Sequence, residues 1–271
     1  MVRQRLLSKA FELKIAPSLQ CIIDSVIEIA TNAGSSLQDM LKIVEVDPAI
    51  TAKVLSIANS AYYNRGTVTQ DLNHALIKIG FDEAKNILLC LLLVENMLRT
   101  LRLRFKDLLE FWRHSLYVAS SARIFAEKSL EYDPQKAYVA SLLHDIGKVI
   151  LYSEMENYRD IARMAYEKGI PVWERERAEY GTGHQEVGYI IAKKWRLPEG
   201  ISYVIYRHHE PRYGEEKYNG LIRINMIADN FYYSQDTNGG PEMSILLKEK
   251  NNITMELDKV MEIINIHDHG R

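Results

Sequence analysis

Cysteine is scarce in this sequence, and its scarcity limits the kinds of site that need to be considered. The 271 residues include two cysteines, Cys21 and Cys90. They are far apart in apolar surroundings and fit neither a disulfide framework nor a cysteine metal site. We therefore expect a protein of the reducing cytoplasm.

The sequence also lacks a large excess of charge and a long apolar run. Its formal net charge of -2 gives no reason to expect a nucleic acid or a membrane surface as a partner. The most apolar run, residues 87–94, is far shorter than the roughly 20 residues that span a bilayer. We interpret this run as part of a buried helix and expect no membrane partner and no nucleic-acid partner.

Strand-like alternation is nearly absent, which predicts an all-α fold. Apolar residues recur instead at helical spacing, and the hydrophobic content of 47% over 271 residues is enough for a substantial core. A polar loop is predicted over 59–70. Helices are predicted over 18–31, 36–46, 48–58, 71–79, 82–98, 107–128, 184–197, 219–233 and 255–266. A further helix carries Ile201 and His208 on one face and is predicted to end at 209–211.

The stretch Ser141-Leu-Leu-His-Asp-Ile-Gly-Lys148 combines charged groups with apolar sequence. Asp133 and Pro134 form a typical helix start, and apolar residues follow at spacings of three and four. We therefore expect His144, Asp145 and Lys148 to lie on one packed helix. Charged groups are costly to bury unless they are paired or bound to metal, so this stretch is a candidate site.

Further histidines and one further aspartate could join that stretch in a metal site. Mixed nitrogen and carboxylate donors suit divalent transition metals such as Zn, Fe, Mn or Ni. Two ions about 3.5–4 Å apart can produce a hydroxide and hold a phosphoryl group. The candidate donors are His114, His144, Asp145, His184, His208, His209 and Asp229.

Asp145 of this set and the nearby Lys148 have candidate catalytic roles. Asp145 is well placed to bridge two ions, and Lys148, about one helical turn further on, could meet a phosphate. The alternative for the whole set of histidines and aspartates is that they only stabilise the fold. A single histidine on an apolar helix face is more often a packed residue than a ligand. Spacing alone leaves both interpretations open. His74 is expected on a helix surface, and His267 and His269 near a frayed end.

The pattern His114, His144-Asp145 and Asp229 resembles that of the HD superfamily of metal-dependent phosphohydrolases, and further motifs resemble those of one family within it. The segments 47–55 (DPAITAKVL) and 58–63 (ANSAYY) are similar to the HDOD signature, and 75–80 (ALIKIG) fits its next element. The match continues through 183–188 (GHQEVG), 195–198 (WRLP) and 208–211 (HHEP). Together these motifs cover about residues 12–233.

The resemblance implies an all-α bacterial regulatory protein that retains a complete metal-ligand set. By similarity to the related HD-GYP phosphodiesterases, His114, His144, Asp145 and Asp229 would form a first metal site. His184, His208 and His209 would complete a second site, with Asp145 as the bridge and Lys148 as the phosphate contact. A Gly-Tyr-Pro triplet does not follow residues 208–210 in the sequence, which argues against recognition of cyclic di-GMP.

Two functions follow from the resemblance. The first is a signal-transduction protein that holds one or two divalent metal ions and acts through other signalling proteins. The alternative is a metal-dependent phosphohydrolase or phosphodiesterase acting on a phosphate-containing small molecule, such as a nucleotide or cyclic dinucleotide. We predict an HDOD lobe over 1–106, an HD-like lobe with the metal cleft over 107–240, and a helical tail over 241–271.

Overall fold

The computed structural model describes residues 1–13, 24–29, 32, 34–45, 48–60, 63, 66, 68–101, 103–130, 132–210, 216–234 and 240–266. No strand occurs among these residues, so the predicted all-α fold is confirmed. None of the described helices is both long and apolar enough to cross a bilayer. His267 and His269, predicted near a frayed end, lie outside the described residues, as do residues 18–23, 30 and 31 of the first predicted helix.

The chain divides into two compact units, one formed by residues 1–15 and 97–257, the other by residues 16–96 and 258–271. The lobe boundaries predicted at 106 and 240 stay predictions. The helices are α1 (Val2–Glu12), α2 (Leu37–Val44), α3 (Pro48–Ala58), α4 (Leu72–Ile79), α5 (Phe81–Thr100), α6 (Phe105–Ser129), α7 (Pro134–Leu143), α8 (Lys148–Glu154), α9 (Tyr158–Glu167), α10 (Val172–Tyr180), α11 (His184–Lys194), α12 (Glu199–Arg207), α13 (Asn219–Ser234), α14 (Gly240–Lys248) and α15 (Lys250–Ile266).

In the unit that contains residues 16–96, helices α2, α3 and α4 contact one another. The Ser36 hydroxyl and the Asp39 carboxylate form a capping box that satisfies free N–H groups at the start of α2. The side-chain amide of Asn59 closes the polar loop that follows α3. It donates to the Thr69 carbonyl at 2.8 Å and accepts from the Thr69 N–H at 2.8 Å. His74 lies on α4 with an exposed side chain, as predicted.

The other unit is built around α6, which packs along α7 and α13. Small buried side chains on α6, Ala119, Ala122 and Ala126, allow this close approach. Helix α12 packs against α7 and α11, and α1 packs against α11 and α8. Since α6, α7, α11, α12 and α13 or their ends carry the predicted ligands, this packing determines where those side chains meet.

Candidate metal centre

The turn that carries His144 and Asp145 begins where α7 ends. The Asp133 carboxylate accepts from the N–H groups of Gln135 and Lys136, as its predicted capping role requires. The prediction of one continuous helix through Lys148 is wrong, because α7 ends at Leu143 and α8 begins at Lys148. Residues 144–147 form tight turns between them.

A close approach between two backbones accounts for this break. A Cβ atom added to Gly147 would lie 2.0 Å from the His184 carbonyl oxygen and 2.6 Å from the Gly188 nitrogen. Only glycine therefore fits at position 147, where the start of α11 contacts the turn. The contact brings His184 next to Asp145, which lies two residues before Gly147.

The Asp145 carboxylate lies between two pairs of histidines. Its Oδ2 atom is 3.1 Å from Nε2 of His114 and 3.4 Å from Nε2 of His144. Its Oδ1 atom is 3.2 Å from Nε2 of His184 and 3.6 Å from Nε2 of His208. Asp145 is only 1% exposed. Each carboxylate oxygen thus faces one histidine pair, which is the arrangement that a bridging ligand needs.

Backbone carbonyls fix the ring nitrogens of two of these histidines. Nδ1 of His144 lies 2.7 Å from the Ser141 carbonyl oxygen, and Nδ1 of His208 lies 3.1 Å and 3.0 Å from those of Val204 and Ile205. Because a carbonyl oxygen only accepts, we assign the proton of each neutral ring to Nδ1. This assignment leaves the Nε2 lone pair of each ring available as a metal ligand.

A carboxylate performs the same task for His184. Oε2 of Glu176 accepts from Nδ1 of His184 at 2.6 Å and from its backbone N–H at 2.8 Å. Glu176 was not among the residues predicted from the sequence. It lies in the highly charged segment 172–180, and no periodic pattern there marks its side chain as buried.

The contact between His184 and His208 shows whether the donor set suits a metal ion. Their Nε2 atoms are 3.2 Å apart, and both protons are assigned to Nδ1. Two lone pairs that face each other at this distance cannot form a hydrogen bond, and a cation between them removes their repulsion. Oδ1 of Asp145 is also buried and has no hydrogen-bond partner in the part of the chain that the structure describes. The donor set therefore fits a divalent metal ion.

Two further donors complete the clusters. Asp229, on α13, places Oδ1 3.4 Å from Nε2 of His114. His209 stacks against Trp173 with ring centroids 6.1 Å apart, and its buried Nε2 has no hydrogen-bond partner among the described residues. In each of three groups, the ligand atoms lie within 4.8 Å of one another: His114, His144 and Asp229; His144, Asp145 and His208; His184, His208 and His209. The structure thus brings all seven predicted ligands together, while their role stays a prediction.

The electrostatics favour a neutral His144 beside an ionised Asp145 carboxylate. Burial lowers the pKa of His144 well below its ordinary value. Burial opposes ionisation of Asp145, but attraction to neighbouring groups, among them the Lys148 ammonium, outweighs it and holds the pKa of that carboxyl well below its usual range. Lys148 places Nζ 2.5 Å from Oδ2 of Asp145. Although burial disfavours its charge, the Asp145 carboxylate raises the pKa of Lys148.

A cavity of about 1010 Å³ opens onto this centre. One side of the cavity carries polar groups of the centre, including Asp145, Lys148 and Asp229. Aromatic side chains line much of the rest: Phe111, Tyr152, Tyr158, Tyr166, Trp173, Tyr232 and Tyr233. Its size is at the upper end of ordinary small-molecule sites, which measure about 300–1,000 Å³.

Comparison with known families agrees with the motifs and with the architecture. Residues 16–211 match the model of the HDOD domain. This chain belongs to the HDOD domain family. An uncharacterized protein of Treponema pallidum (strain Nichols) is 24% identical over 203 residues, which cover 73% of this chain and 38% of that protein. The HDOD chain therefore spans less than half the length of this relative.

Solved structures share the fold of this HDOD chain. An HDOD domain protein with unknown function from Geobacter sulfurreducens aligns with a TM-score of 0.76 and 22% identity, covering 96% of this chain and 98% of that chain. A provisionally named phosphohydrolase from Shewanella amazonensis SB2B aligns with a TM-score of 0.72 and 20% identity, covering 96% and 97%. A provisionally named signal transduction protein from Marinobacter aquaeolei VT8 aligns with a TM-score of 0.75 and 18% identity, covering 97% and 65%.

Proposed function

We propose that this HDOD chain is a signal-transduction protein with a two-metal centre that binds a phosphate-containing small molecule. The observation that carries the proposal is the Asp145 carboxylate, with one oxygen facing His114 and His144 and the other facing His184 and His208. His114, His144, Asp145 and Asp229 would hold one divalent ion. His184, His208 and His209 would hold the other, with Asp145 shared between them.

The ions would supply positive charge for a phosphate and a water molecule with a lowered pKa. The chain itself contributes the ammonium of Lys148, which lines the cavity beside Asp145 and would donate to a phosphate oxygen. Lys148 and Asp145 are themselves largely buried, so a charged hydrogen bond at this position is stronger than one in bulk solvent. Binding of the small molecule would be relayed to other signalling proteins.

The second candidate function is hydrolysis of a phosphate ester. The observation in its favour is that Asp145 and Lys148 themselves line the cavity, so a bound phosphate would have direct access to the centre. The Marinobacter structure is provisionally named a signal transduction protein, which corresponds to the first candidate role. The Shewanella structure is provisionally named a phosphohydrolase, which corresponds to the second. Turnover of phosphomonoesters or phosphodiesters by the metal-loaded protein distinguishes hydrolysis from binding alone.

The first experiment measures metal content by elemental mass spectrometry, after purification without chelator or a nickel column and after reconstitution with Fe, Mn, Zn or Ni. We expect two ions per chain, and fewer than one in Asp145→Asn, because that substitution removes the shared carboxylate. Asp160→Asn, an exposed aspartate on α9, is the matched control and should keep two. One ion in the wild type would limit the centre to a single site, and none after reconstitution would overturn the proposal. Ester turnover that is equal in wild type and Asp145→Asn would indicate a contaminant.

A further inference from the structure

Glu176 is a buried acidic side chain whose two oxygens are both engaged. It has no solvent exposure. Oε2 accepts from the ring and the backbone N–H of His184, as described above, and Oε1 accepts from the Tyr158 hydroxyl at 2.6 Å. A buried carboxylate is costly unless its lone pairs are satisfied. Three donors from α9 and α11 meet this requirement, so the position of the carboxylate is tightly determined.

This arrangement controls one specific property of His184. Because Oε2 of Glu176 can only accept, it holds the ring proton on Nδ1 and leaves the lone pair on Nε2. The second contact, to the backbone N–H of the same residue, fixes the carboxylate relative to the start of α11. The ring is therefore oriented so that Nε2 points toward Oδ1 of Asp145 and Nε2 of His208.

The network also extends to the cavity. The Tyr158 ring is buried and lines the cavity on one side, while its hydroxyl group donates to Glu176. A change at the cavity wall can thus reach the histidine through two hydrogen bonds. His144 and His208, in contrast, use backbone carbonyls for the same purpose, which side-chain substitution cannot remove.

We propose that Glu176 is the positioning residue for the ion held by His184, His208 and His209, and that Tyr158 fixes Glu176 from the cavity side. The inference rests on the proposed two-metal centre. A carboxylate that accepts from the second ring nitrogen makes a histidine a stronger and better oriented ligand. Glu176 therefore selects the tautomer of His184 and strengthens one metal site without touching the ion.

Two variants separate the hydrogen bond from the charge. Glu176→Ala removes both, whereas Glu176→Gln keeps the volume and a carbonyl acceptor but removes the charge. Glu179→Gln makes the same charge change at an exposed position of the same helix and is the matched control. Glu176→Gln also serves if Glu176→Ala does not fold, which circular dichroism of the metal-free protein would reveal.

The first measurement needs no metal. Nitrogen-15 NMR of the histidine rings in metal-free protein distinguishes the two tautomers. We expect the Nδ1–H form of His184 in the wild type, in Glu179→Gln and in Glu176→Gln, and its loss in Glu176→Ala, with His144 unchanged in every variant. An Nδ1–H form that persists for His184 in Glu176→Ala would overturn the inference.

The second measurement is a cobalt(II) titration followed by visible absorption in competition with a chelator. We expect Glu176→Ala to weaken the binding of one of the two ions on the order of 10- to 100-fold and Glu176→Gln to weaken it less. The affinity for the other ion should change little. The inference would be overturned if the affinity for both ions fell equally or if neither affinity changed. If the wild type binds no cobalt while the tautomers behave as expected, the two-metal proposal fails and the metal role of Glu176 fails with it.

Discussion

At the scale of single residues, the proposed role of Lys148 can be tested separately from the proposed metal binding. Its ammonium lies beside Oδ2 of Asp145 but cannot be a metal ligand while it carries its proton. We expect Lys148→Met to keep two ions per chain and to weaken binding of inorganic phosphate roughly tenfold. One charged hydrogen bond contributes about 1.5–3 kcal/mol, and about 1.4 kcal/mol corresponds to a factor of ten. Calorimetric titration of the metal-loaded protein measures this effect.

The control for that experiment is Lys136→Met, which removes an exposed ammonium near the start of α7 and should leave phosphate affinity unchanged. Loss of the metal ions from Lys148→Met would show that the lysine supports the centre itself. Unchanged phosphate affinity in Lys148→Met would exclude it as the phosphate contact.

The residues of the centre differ in how far the sequence predicts them. Histidines and aspartates stand out because a titratable side chain inside an apolar pattern is costly unless it has a partner. Glu176 does not stand out, because its neighbours Glu174, Arg175 and Arg177 make it look like part of a solvated helix face. Its burial depends on α9 and α11 closing over it, and such contacts between distant segments leave no local pattern.

At the scale of elements, helix ends with local chemical causes are predictable. Asp133 and Pro134 begin α7, and Asp71 caps α4 by accepting from the His74 N–H at 2.7 Å. The end of α7 at Leu143 is different, because the apolar spacing continues through Ile150. That helix is interrupted where Gly147 meets the backbone of α11, and a tertiary contact of this kind overrides a periodic pattern.

One ion-pair group ties two of the elements together and makes stability depend on pH. Asp107, in the first turn of α6, accepts from Arg159 on α9 and from Arg104. Burial opposes the charge of Asp107, but hydrogen bonds from these two arginines lower its pKa to about 2. Because the pKa is lower in the folded state, the group stabilises the fold at pH values above the ordinary value of 3.8. This stabilisation is lost as the pH falls from there toward 2.

We expect Asp107→Asn to lower the free energy of unfolding by about 1–3 kcal/mol at pH 7, since charged hydrogen bonds to both arginines are lost. Urea denaturation at pH 7, 5, 4 and 3 should show a constant difference from wild type down to about pH 5 and a shrinking one below pH 4. Asp160→Asn removes an exposed carboxylate on α9 and should have a small effect. A difference that stays constant down to pH 3 would contradict the assignment.

At the scale of the whole molecule, the start of the chain belongs to the same compact unit as the candidate metal centre, more than 100 residues away in sequence. Helix α1 packs against α11 and α8, and the Arg5 guanidinium donates to the Glu154 carbonyl at 2.7 Å. Predicted ligands of this candidate centre lie on α11 and in the turn before α8. Its support therefore includes a segment that has no predicted functional residue, and local sequence patterns do not reveal this pairing.

Substitution of Leu6 tests how far the packing of α1 stabilises this unit. Its side chain on α1 has no solvent exposure, whereas Phe11 on the same helix is larger but 67% exposed. We expect Leu6→Ala to lower the free energy of unfolding by about 2–5 kcal/mol, because it removes buried methyl groups and leaves a cavity. Phe11→Ala should cost less than about 1 kcal/mol, since most of that ring is already in water. Chemical denaturation of the full chain measures both. If the exposed phenylalanine proved the more costly to truncate, α1 would not be packed on α11 through its Leu6 face.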